Sequence, residues 1–330
     1  MRFSVIVPVY NRPGEIKELL ESLTTQTDKD FEIIIVEDGS TEKSDKIVEN
    51  FSGKLKLKYF FKQNSGPGTS RNYGCLRAEG NYFIVLDSDC IVPVKYIETV
   101  RTELNENYAD AYGGPDAAHP DFTDFQKAVN YSMTSFLTTG GIRGKNEKID
   151  KFYPRSFNMG FSKEVFDKTG GFSKMRFGED IDFSIRILKE GFKTRLIKNA
   201  FVWHKRRTNA KQFFKQIYNS GIARINLYKK SPESLKIVHF FPAVFTAGFL
   251  ILLILSIFVS VRFLIPVAIH IIAVFIDSAV KNKSLKIGFI SILTSYIQFF
   301  SYGSGFIFAF VKRFFFKKNE FEAFKKTFYN

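Results

Sequence analysis

The sequence is poor in cysteine, and its two cysteines, Cys75 and Cys90, stand in neither a metal-binding nor a redox spacing. A disulfide framework and a zinc site are therefore not predicted, and a reducing compartment fits best. A long apolar run is also missing at the N-terminus, where residues 3–9 are too few for the core of a signal peptide and are typical of a first strand. We therefore expect the N-terminal part of the chain to stay in the cytoplasm.

Acidic residues are scarce relative to basic ones, with 33 Asp and Glu against 48 Lys and Arg in 330 residues. The formal net charge is +15 and the isoelectric point is near 9.6, which indicates an acidic partner. Nucleic acid, an anionic membrane surface and phosphorylated substrates all qualify. No nucleic-acid-binding motif is present and much of the positive charge flanks apolar segments, so no nucleic acid partner is expected.

Two common nucleotide-binding fingerprints are absent. The Gly-rich segment 64–72 contains Gly66, Pro67 and Gly68 but lacks the G-x-G-x-x-G spacing, and no G-K-[ST] follows it. A hydride-transfer enzyme and a P-loop ATPase are therefore disfavoured.

What is present in the first part of the chain is an alternation of strand and helix patterns. Short runs rich in β-branched and aromatic residues alternate with helical apolar spacing, which predicts an α/β fold with a parallel sheet and polar strand ends on one side. The predicted strands are 3–9, 31–36, 55–61 and 82–86, and the predicted helices are 15–23, 71–78 and a segment capped by Ser40 or Thr41 that runs to about residue 51.

Two carboxylates follow the fourth predicted strand. Asp87 and Asp89 are separated by one serine at the carboxyl end of the strand, where open α/β sheets bind ligands, and such a pair can hold a hard divalent cation. The alternative is that the two residues merely begin a polar loop. Asp38 and Arg71 stand near other strand ends and suit a base edge and a phosphate, although Arg71 could equally be a cation on a helix surface.

A second acidic cluster opens a predicted helix near residue 179. Asp182 is explained as an ion-pair member on that helix. Glu179 and Asp180 either cap the helix or, in the case of Asp180, form a carboxylate held ionised as a general base requires. His204 ends a short strand and is either structural or a third metal ligand, and the cations at 205–207 either face solvent or bind a diphosphate.

Long apolar runs are confined to the last third of the chain. Residues 240–261 and 287–311 are about 22 and about 25 residues without a charge, long enough to span a bilayer. Residues 263–276, within the predicted segment 263–280, are only about 14 residues and contain His270, which makes this run marginal for a span by itself. A buried helical hairpin of a soluble protein is the alternative. Segment 210–228 is predicted to be a basic amphipathic helix in the membrane interface.

Three basic clusters flank these runs, and the positive-inside rule would place all three in the cytoplasm. A hairpin over 240–276 satisfies the first two clusters. The third then requires segment 287–311 to be re-entrant or to lie in the plane, with a turn at Gly303 to Gly305, because a plain third crossing breaks the rule. The clusters are Lys229, Lys230 and Lys236; Lys281, Lys283 and Lys286; and Lys312, Arg313, Lys317 and Lys318.

With these residues in hand, the chain resembles the family-2 glycosyltransferases of the GT-A fold. The resemblance covers about residues 1–225 and rests on the ordered motifs SVIVPVYNRP, VEDGS, NSGPGTSRNYG, VLDSDC, NMGF, GGF, GEDIDFSIR and WH. It implies a catalytic domain over 1–225, with a nucleotide-sugar-binding half (1–115), an acceptor-binding half (116–209) and the interfacial helix (210–228). A C-terminal all-α membrane module (229–330) would follow.

The resemblance also implies a role for each matching residue, with Asp180 as the catalytic base and Mn²⁺ or Mg²⁺ as the cofactor. Asp87 could instead meet the metal through water or contact the ribose. The donor-binding residues would be Pro8, Tyr10, Asn11, Asp38, Arg71, Asp87, Ser88, Arg206 and Arg207; the acceptor-side residues Asn158, Met159, Gly160 and Glu179; and the metal ligands Asp89, Asp87 and His204.

The implied reaction is an inverting displacement in which an acceptor hydroxyl attacks the anomeric carbon of a nucleotide sugar, with a UDP-sugar favoured. No Gln-x-x-Arg-Trp follows His204 and apolar spans are few, so we expect addition of one sugar to a lipid-linked or membrane-proximal glycan acceptor in cell-surface polysaccharide or glycolipid synthesis. A processive polysaccharide synthase and a non-catalytic membrane scaffold are the alternatives. The expected location is the inner or plasma membrane of a bacterium, with the catalytic domain in the cytoplasm.

Overall fold

The computed structural model describes residues 1–117, 119, 121–139 and 152–319. The Gly- and Lys-rich segment 140–151, predicted to be mobile, lies outside the described residues. The strands are β1 (Phe3–Val9), β2 (Phe31–Asp38), β3 (Leu57–Lys62), β4 (Tyr82–Leu86), β5 (Cys90–Ile91), β6 (Ala111–Gly113), β7 (Asp116–Ala117), β8 (Asn158–Ser162), β9 (Thr194–Leu196) and β10 (Val202–His204). The α-helices are α1 (Pro13–Thr24), α2 (Asp45–Glu49), α3 (Pro67–Cys75), α4 (Tyr96–Glu106), α5 (Asp124–Thr134), α6 (Phe136–Thr139), α7 (Lys163–Thr169), α8 (Glu179–Lys189), α9 (Ala210–Lys230), α10 (Phe241–Phe258), α11 (Ile265–Asn282) and α12 (Leu285–Phe310).

The chain divides into two compact units. The described part of the first, the α/β unit, consists of residues 1–117 and 152–204; that of the second, the helical unit, consists of 119, 121–139 and 205–319. Helices α5 and α6 thus belong to the helical unit, although the sequence placed them in the acceptor-binding half of the catalytic domain.

The α/β unit is built on a seven-stranded sheet with the order β3-β2-β1-β4-β8-β6-β9. The first four strands are parallel, as predicted. Strand β8 is antiparallel to both of its neighbours, β4 and β6, so the sheet is mixed rather than purely parallel. A second sheet joins β5, β10 and β7 and brings His204 opposite Cys90.

Both faces of the large sheet are covered, which explains the unbroken apolar runs in its central strands. Val5 and Val7 of β1 pack with Leu19 of α1 on one face, while Ile6 packs with Val165 of α7 on the other. All seven residues of β1 are buried. Because each such aliphatic side chain contributes about 1.5–3 kcal/mol on burial, these strands fix the position of the polar residues at their ends.

In the described part of the helical unit, two helical segments are long and apolar enough to cross a membrane by length and composition. They are Ile237–Phe258 and Val261–Asn282, with mean hydropathies of 2.5 and 2.3, and 6% and 11% of their most apolar windows are buried. Helix α12 contains most of the third predicted run. It is not among the segments that are apolar enough to cross a membrane, and many of its residues are buried.

Helix α12 is continuous through Gly303 and Gly305, so the turn predicted there is wrong. These glycines allow close helix packing instead. A Cβ at Gly305 would lie 2.2 Å from the backbone oxygen of Tyr218, and a Cβ at Gly221 would lie 2.3 Å from that of Tyr302. Helix α9 therefore packs closely on α12.

Candidate functional site

Asp38, at the end of β2, is a buried anchor for the Gly-rich turn. Its carboxylate accepts hydrogen bonds from the backbone N–H groups of Ser65 (2.9 Å) and Gly66 (2.8 Å) and contacts the ammonium of Lys62. Its side chain is only 2% exposed. The structure thus gives Asp38 a positioning role for the turn, and its predicted contact with the nucleotide stays a prediction.

The turn held by Asp38 requires glycine at one position. Gly66 has a φ of 92°, in the region that L side chains rarely adopt, and Pro67 follows as the first residue of α3. This geometry begins the helix that carries Arg71. The predicted helix therefore starts earlier than expected, at residue 67 rather than 71.

Asn11 connects the end of β1 to the loop after β2. It has a φ of 50°, which Asn tolerates better than most residues, and its side-chain oxygen accepts from the backbone N–H groups of Thr41 (2.8 Å) and Glu42 (3.0 Å). The loop is thereby held in a non-helical form, and α2 begins only at Asp45, so the caps predicted at Ser40 and Thr41 are wrong. The same strand end contributes Pro8, which is buried opposite Val36, and the half-buried Tyr10.

Glu37 is a site residue that the sequence reasoning missed. It is completely buried, and its carboxylate accepts from the backbone N–H of Ser44 (2.9 Å), the hydroxyl of Tyr59 (3.2 Å) and the hydroxyl of Ser40. Glu37 therefore fixes Ser40 and Ser44 at the two ends of the loop that Asn11 holds. Its position directly before Asp38, at a strand end, was the available signal.

Arg71 links two acidic residues that are far apart in the chain. Its guanidinium donates to Asp87 and to Glu179, both at 2.8 Å, and its side chain is 4% exposed. Burial by itself lowers the pKa of Arg71, but the two carboxylates outweigh it and raise the pKa, so the group stays charged. Arg71 is therefore not a surface cation: it joins the end of β4 to the start of α8.

Asp89 contacts two cationic or metal-binding side chains. Its Oδ1 lies 3.1 Å from Nε2 of His204, and its Oδ2 accepts from the guanidinium of Arg12, an ion pair that the sequence did not indicate. His204 stacks on Phe157, with ring centroids 5.2 Å apart. Ser88, between the two carboxylates, is buried. The structure thus brings together Asp89 and His204, which are 115 positions apart.

Asp89 and His204 fit a divalent cation. A buried carboxylate oxygen and an imidazole nitrogen converge there, a donor set that suits Mn²⁺ well and Mg²⁺ less well. The thiol of Cys90 is close enough to be a third ligand, but burial raises its pKa well above the usual value and it contacts the carbonyl of Phe157 at 3.4 Å. Because Mn²⁺ and Mg²⁺ prefer oxygen ligands to a thiol, Asp87, whose side chain is 29% exposed, is the better candidate for the third ligand.

Asp180 and Glu179 stand in the first turn of α8. Burial raises the pKa of Asp180, but Arg155 outweighs this, with its Nε 2.7 Å from Oδ2, and the pKa is lowered. Burial also raises the pKa of Glu179, and here Arg71 offsets it only in part, so the pKa stays raised. Asp180 is thus held ionised in a buried place, as the sequence reasoning required of a base.

The predicted acceptor-side residues of β8 are not exposed to solvent. Asn158, Met159 and Gly160 are fully buried in the sheet. The amide of Asn158 donates to the carbonyl of Ala200 (2.8 Å) and accepts from the hydroxyl of Tyr96 (2.6 Å). These contacts give Asn158 a structural role, and the predicted acceptor-side roles of these residues and of Glu179, which is linked to Arg71, stay predictions.

Arg206 and Arg207 belong to the helical unit. Arg206 is buried, and its guanidinium donates to the side-chain oxygen of Asn130, 2.9 Å from Nη2. Arg207 is half-buried. Their predicted contact with a diphosphate stays a prediction.

The sequence model of glycosyl transferase family 2 matches residues 4–170, just over half of the chain. The chain belongs to this family. The matched region ends before α8 and thus contains Asp38, Arg71, Asp87 and Asp89 but not Asp180.

Individual glycosyltransferases are similar to parts of the chain. An uncharacterized glycosyltransferase of Haemophilus influenzae is 31% identical over 195 residues, which is 57% of this chain and 62% of that protein. The poly(ribitol-phosphate) beta-N-acetylglucosaminyltransferase TarS of Staphylococcus aureus is 39% identical over 114 residues, 33% of this chain and 20% of TarS. The chain therefore spans less than two thirds of either relative.

Solved structures show the same GT-A-like fold. The mannosyltransferase PcManGT of Pyrobaculum calidifontis, in complex with GDP-Man and Mn²⁺, has a TM-score of 0.63 at 15% identity, over 90% of this chain and 87% of that one. Residues 1–349 of TarS, in complex with UDP-GlcNAc, give 0.51 at 19% identity, over 93% and 91%. At these identities the likeness concerns the fold alone.

Proposed function

We propose that this chain is a metal-dependent, inverting glycosyltransferase that moves one sugar from a nucleotide-sugar donor, with a UDP-sugar favoured, to an acceptor hydroxyl at a membrane. The observation that carries the proposal is the convergence of Asp89 and His204, 3.1 Å apart, at the carboxyl edge of the sheet. Arg71 connects the same edge to the helix that starts with Glu179 and Asp180. The candidate metal site for the sugar donor and the candidate base thus lie in the same unit, the α/β unit.

In this proposal Asp89 and His204, with Asp87, hold Mn²⁺ or Mg²⁺. When bound, such a cation neutralises negative charge on the departing nucleoside diphosphate. Arg71 holds the carboxylate of Asp87 in place through an ion pair of 2.8 Å. Arg12 neutralises Asp89 while the second carboxylate oxygen faces His204.

Asp180 acts as the base in this proposal. Its lowered pKa means that it carries its charge throughout the neutral range and accepts the proton of the attacking hydroxyl on a carboxylate oxygen. Arg155 shares Oδ2, and its own side chain is 41% exposed, so it is free to change its contact when an acceptor enters. No covalent intermediate on a serine or cysteine is needed, which supports a single inverting displacement.

The acceptor is proposed to be lipid-linked or membrane-proximal. The two exposed apolar helices α10 and α11 and the excess of positive charge support a membrane location. Synthesis of a cell-surface polysaccharide or glycolipid is the process that this acceptor class suggests.

The test is a donor screen with the purified full-length chain in lipid vesicles. UDP- and GDP-sugars are offered with Mn²⁺ or Mg²⁺, and release of the nucleoside diphosphate is measured. We expect release from at least one donor and its loss in both Asp89→Ala and His204→Ala. A matched control is Asp167→Ala, which removes an exposed carboxylate of α7 that is not among the proposed site residues. Release that is unaffected by both substitutions contradicts the proposed site, and absence of nucleoside diphosphate binding favours the scaffold alternative.

A further inference from the structure

The helical unit contains an apolar segment that its own helices leave uncovered. We define the apex segment as residues 250–268: the second half of α10, the 3-10 turn Val261–Leu264 and the start of α11. Its side chains are widely exposed, including Leu250 (52%), Ile254 (55%) and Phe258 (81%). Within the described residues, the side-chain hydrogen bonds of the apex segment stay inside the segment, and no ring contact joins it to the rest of the protein.

Helix α12 contacts the residues that flank the apex segment on either side. The first half of α10 contacts α12, where the hydroxyl of Thr246 donates to the carbonyl of Phe299 (3.3 Å). Helix α11 contacts α12 from His270, whose ring centroid lies 5.7 Å from that of Tyr296, to Phe275, whose ring centroid lies 4.6 Å from that of Phe289. Helices α10 and α11 also touch each other, with the rings of Phe245 and His270 5.4 Å apart. Within the described residues, no ring contact or side-chain hydrogen bond joins α12 to the stretch between Phe249 and His270, so the apex segment lies beyond these contacts.

The basic residues collect at the α12 side of this arrangement. Lys286 lies in the first turn of α12, and Lys312 and Arg313 follow its last residue directly. Tyr228 of α9 contacts Phe314 (ring centroids 5.8 Å apart), which brings Lys229 and its neighbour to the same end. A helix with cations at both ends cannot cross a membrane without placing one cluster on the opposite side.

We propose that α12 lies in the membrane plane at headgroup level and that the apex segment enters one leaflet of an anionic bilayer as a wedge, without crossing to the other side. All three basic clusters then face the same anionic surface. This arrangement removes the conflict with the positive-inside rule that a third crossing would create.

The two faces of α12 agree with this orientation. Hydroxyl side chains on one face are buried in the protein: Ser132 of α5 contacts Thr294 at 2.6 Å, and Ser295 is fully buried. Apolar side chains on the opposite face are exposed, including Phe289 (65%), Leu293 (54%) and Ile307 (41%). Helices in the membrane interface bury one apolar face about 5–10 Å deep and keep their polar side out of the lipid.

The length of the apex segment sets the depth of the wedge. The last residue of α10 with a ring contact to α12 is Phe249, and the turn begins at Ser260. Eleven residues at about 1.5 Å each reach about 16 Å, and any tilt shortens this. The hydrocarbon core is about 30 Å thick, so the apex ends near the middle of the bilayer. Arg262 is the one charge in the apex segment; in the wedge its long side chain extends back toward the near headgroups, whereas a full crossing would bring it to the opposite headgroups.

The experiment measures how deep the turn lies. The full-length Ser260→Cys variant is labelled with an environment-sensitive fluorophore and reconstituted into vesicles of phosphatidylcholine and phosphatidylglycerol. Quenching by lipids brominated near the headgroup is compared with quenching by lipids brominated near the chain end. Burial raises the pKa of both native thiols, Cys75 and Cys90, so labelling of the unsubstituted chain should be slow and measures the background. Leu285→Cys, at the start of α12, serves as the matched shallow position.

We expect the label at position 260 to be quenched most by bromine at the chain ends, and the label at position 285 most by bromine near the headgroup. Strongest quenching of position 260 by headgroup-level bromine indicates a full crossing and overturns the proposal, as does the absence of quenching by either lipid. The inference rests on the membrane location included in the proposed function. Because the readout is depth and not sugar transfer, failure of the wedge and failure of the catalytic proposal are distinguishable.

Discussion

Replacement of Arg71 by methionine tests whether the buried bridge between β4 and α8 holds the site together. The variant keeps much of the side-chain volume but removes the donors to Asp87 and Glu179. The side chain of Glu179 is 11% exposed, so its carboxylate would be left without its cation in a poorly solvated place. Removing one partner of a buried ion pair costs about 3–5 kcal/mol.

The single tryptophan provides the assay. Trp203 lies in β10, within the α/β unit, so its fluorescence reports unfolding of the unit that contains the bridge. In a urea titration with a slope of about 2 kcal/mol per molar, the expected loss moves the midpoint down by about 2 M. The full-length chain in detergent is used for all variants.

The matched control is Arg2→Met, which breaks an arginine–carboxylate pair of the same unit that is exposed. The side chains of Arg2 and Glu79 are 60% and 56% exposed, and such pairs contribute about 0–1 kcal/mol. If Arg71→Met shifts the urea midpoint no more than Arg2→Met does, the reasoning about the buried bridge is refuted.

The loss of unfolding free energy in Arg71→Met should also depend on pH and should grow as the pH rises. Burial raises the pKa of Glu179 above its usual value, and Arg71 lowers it in part. Without Arg71 the pKa rises further, so the folded state favours the protonated carboxyl. A raised folded pKa contributes stability at low pH that is lost as the pH rises through it. The deficit of Arg71→Met should therefore be larger at mildly alkaline than at mildly acidic pH.

Three further predictions concern the base and the helical unit. Asp180→Asn should lower the rate of transfer by about 100- to 10,000-fold with nucleoside diphosphate affinity retained, and an unchanged turnover number would remove Asp180 from its role. Arg155→Gln removes the contact that lowers the pKa of Asp180, so the acid limb of the pH–rate profile should move to higher pH; a limb that stays in place would show that Arg155 does not set this pKa. Gly221→Ala introduces a Cβ 2.3 Å from a backbone oxygen of α12 and should destabilise the helical unit by about 1–3 kcal/mol, whereas Gly248→Ala, with no atom within 4 Å, should be neutral or stabilising in the same thermal unfolding in detergent. Equal melting temperatures for the two glycine variants would contradict the close packing of α9 on α12.

The parallel strands were predictable because burial on both faces gives them unbroken apolar sequences, and the prediction of β1, β2 and β4 is confirmed. Strand β8 was not predicted. Its sequence Asn-Met-Gly-Phe-Ser lacks β-branched residues, and it becomes a strand because β4 and β6 supply partners on both sides. Long-range pairing of this kind overrides local preference.

The carboxylates of the site were predictable from their positions at strand ends, but their partners were not. Arg12 pairs with Asp89 and Arg155 with Asp180, and nothing in the spacing of these residues indicates contact. The same holds for Asp38, whose strand-end position suggested an open ligand although backbone donors fill both of its oxygens. Sequence position locates a polar group, whereas the folded turn decides whether it is still accessible.

Helix α5 shows a similar limit in the helical unit. Its face toward α12 carries small and hydroxyl residues, Ala128 and Ser132, which meet Thr294 and are not recognised by a search for apolar spacing. The sequence therefore assigned this helix to the acceptor-binding half. Interhelical hydrogen bonds of this type depend on the partner helix, which the local sequence does not reveal.

The central claim is that the edge holding Asp89 and His204 binds the donor diphosphate while Asp180 acts on the acceptor. Calorimetric titration of the full-length chain with UDP, or with GDP if the donor screen selects it, in the presence of Mn²⁺ tests this directly. We predict that Asp89→Ala abolishes measurable binding, that Asp180→Asn leaves the affinity unchanged, and that both variants lose transfer. Full nucleotide affinity in Asp89→Ala, or its loss in Asp180→Asn alone, would contradict the account.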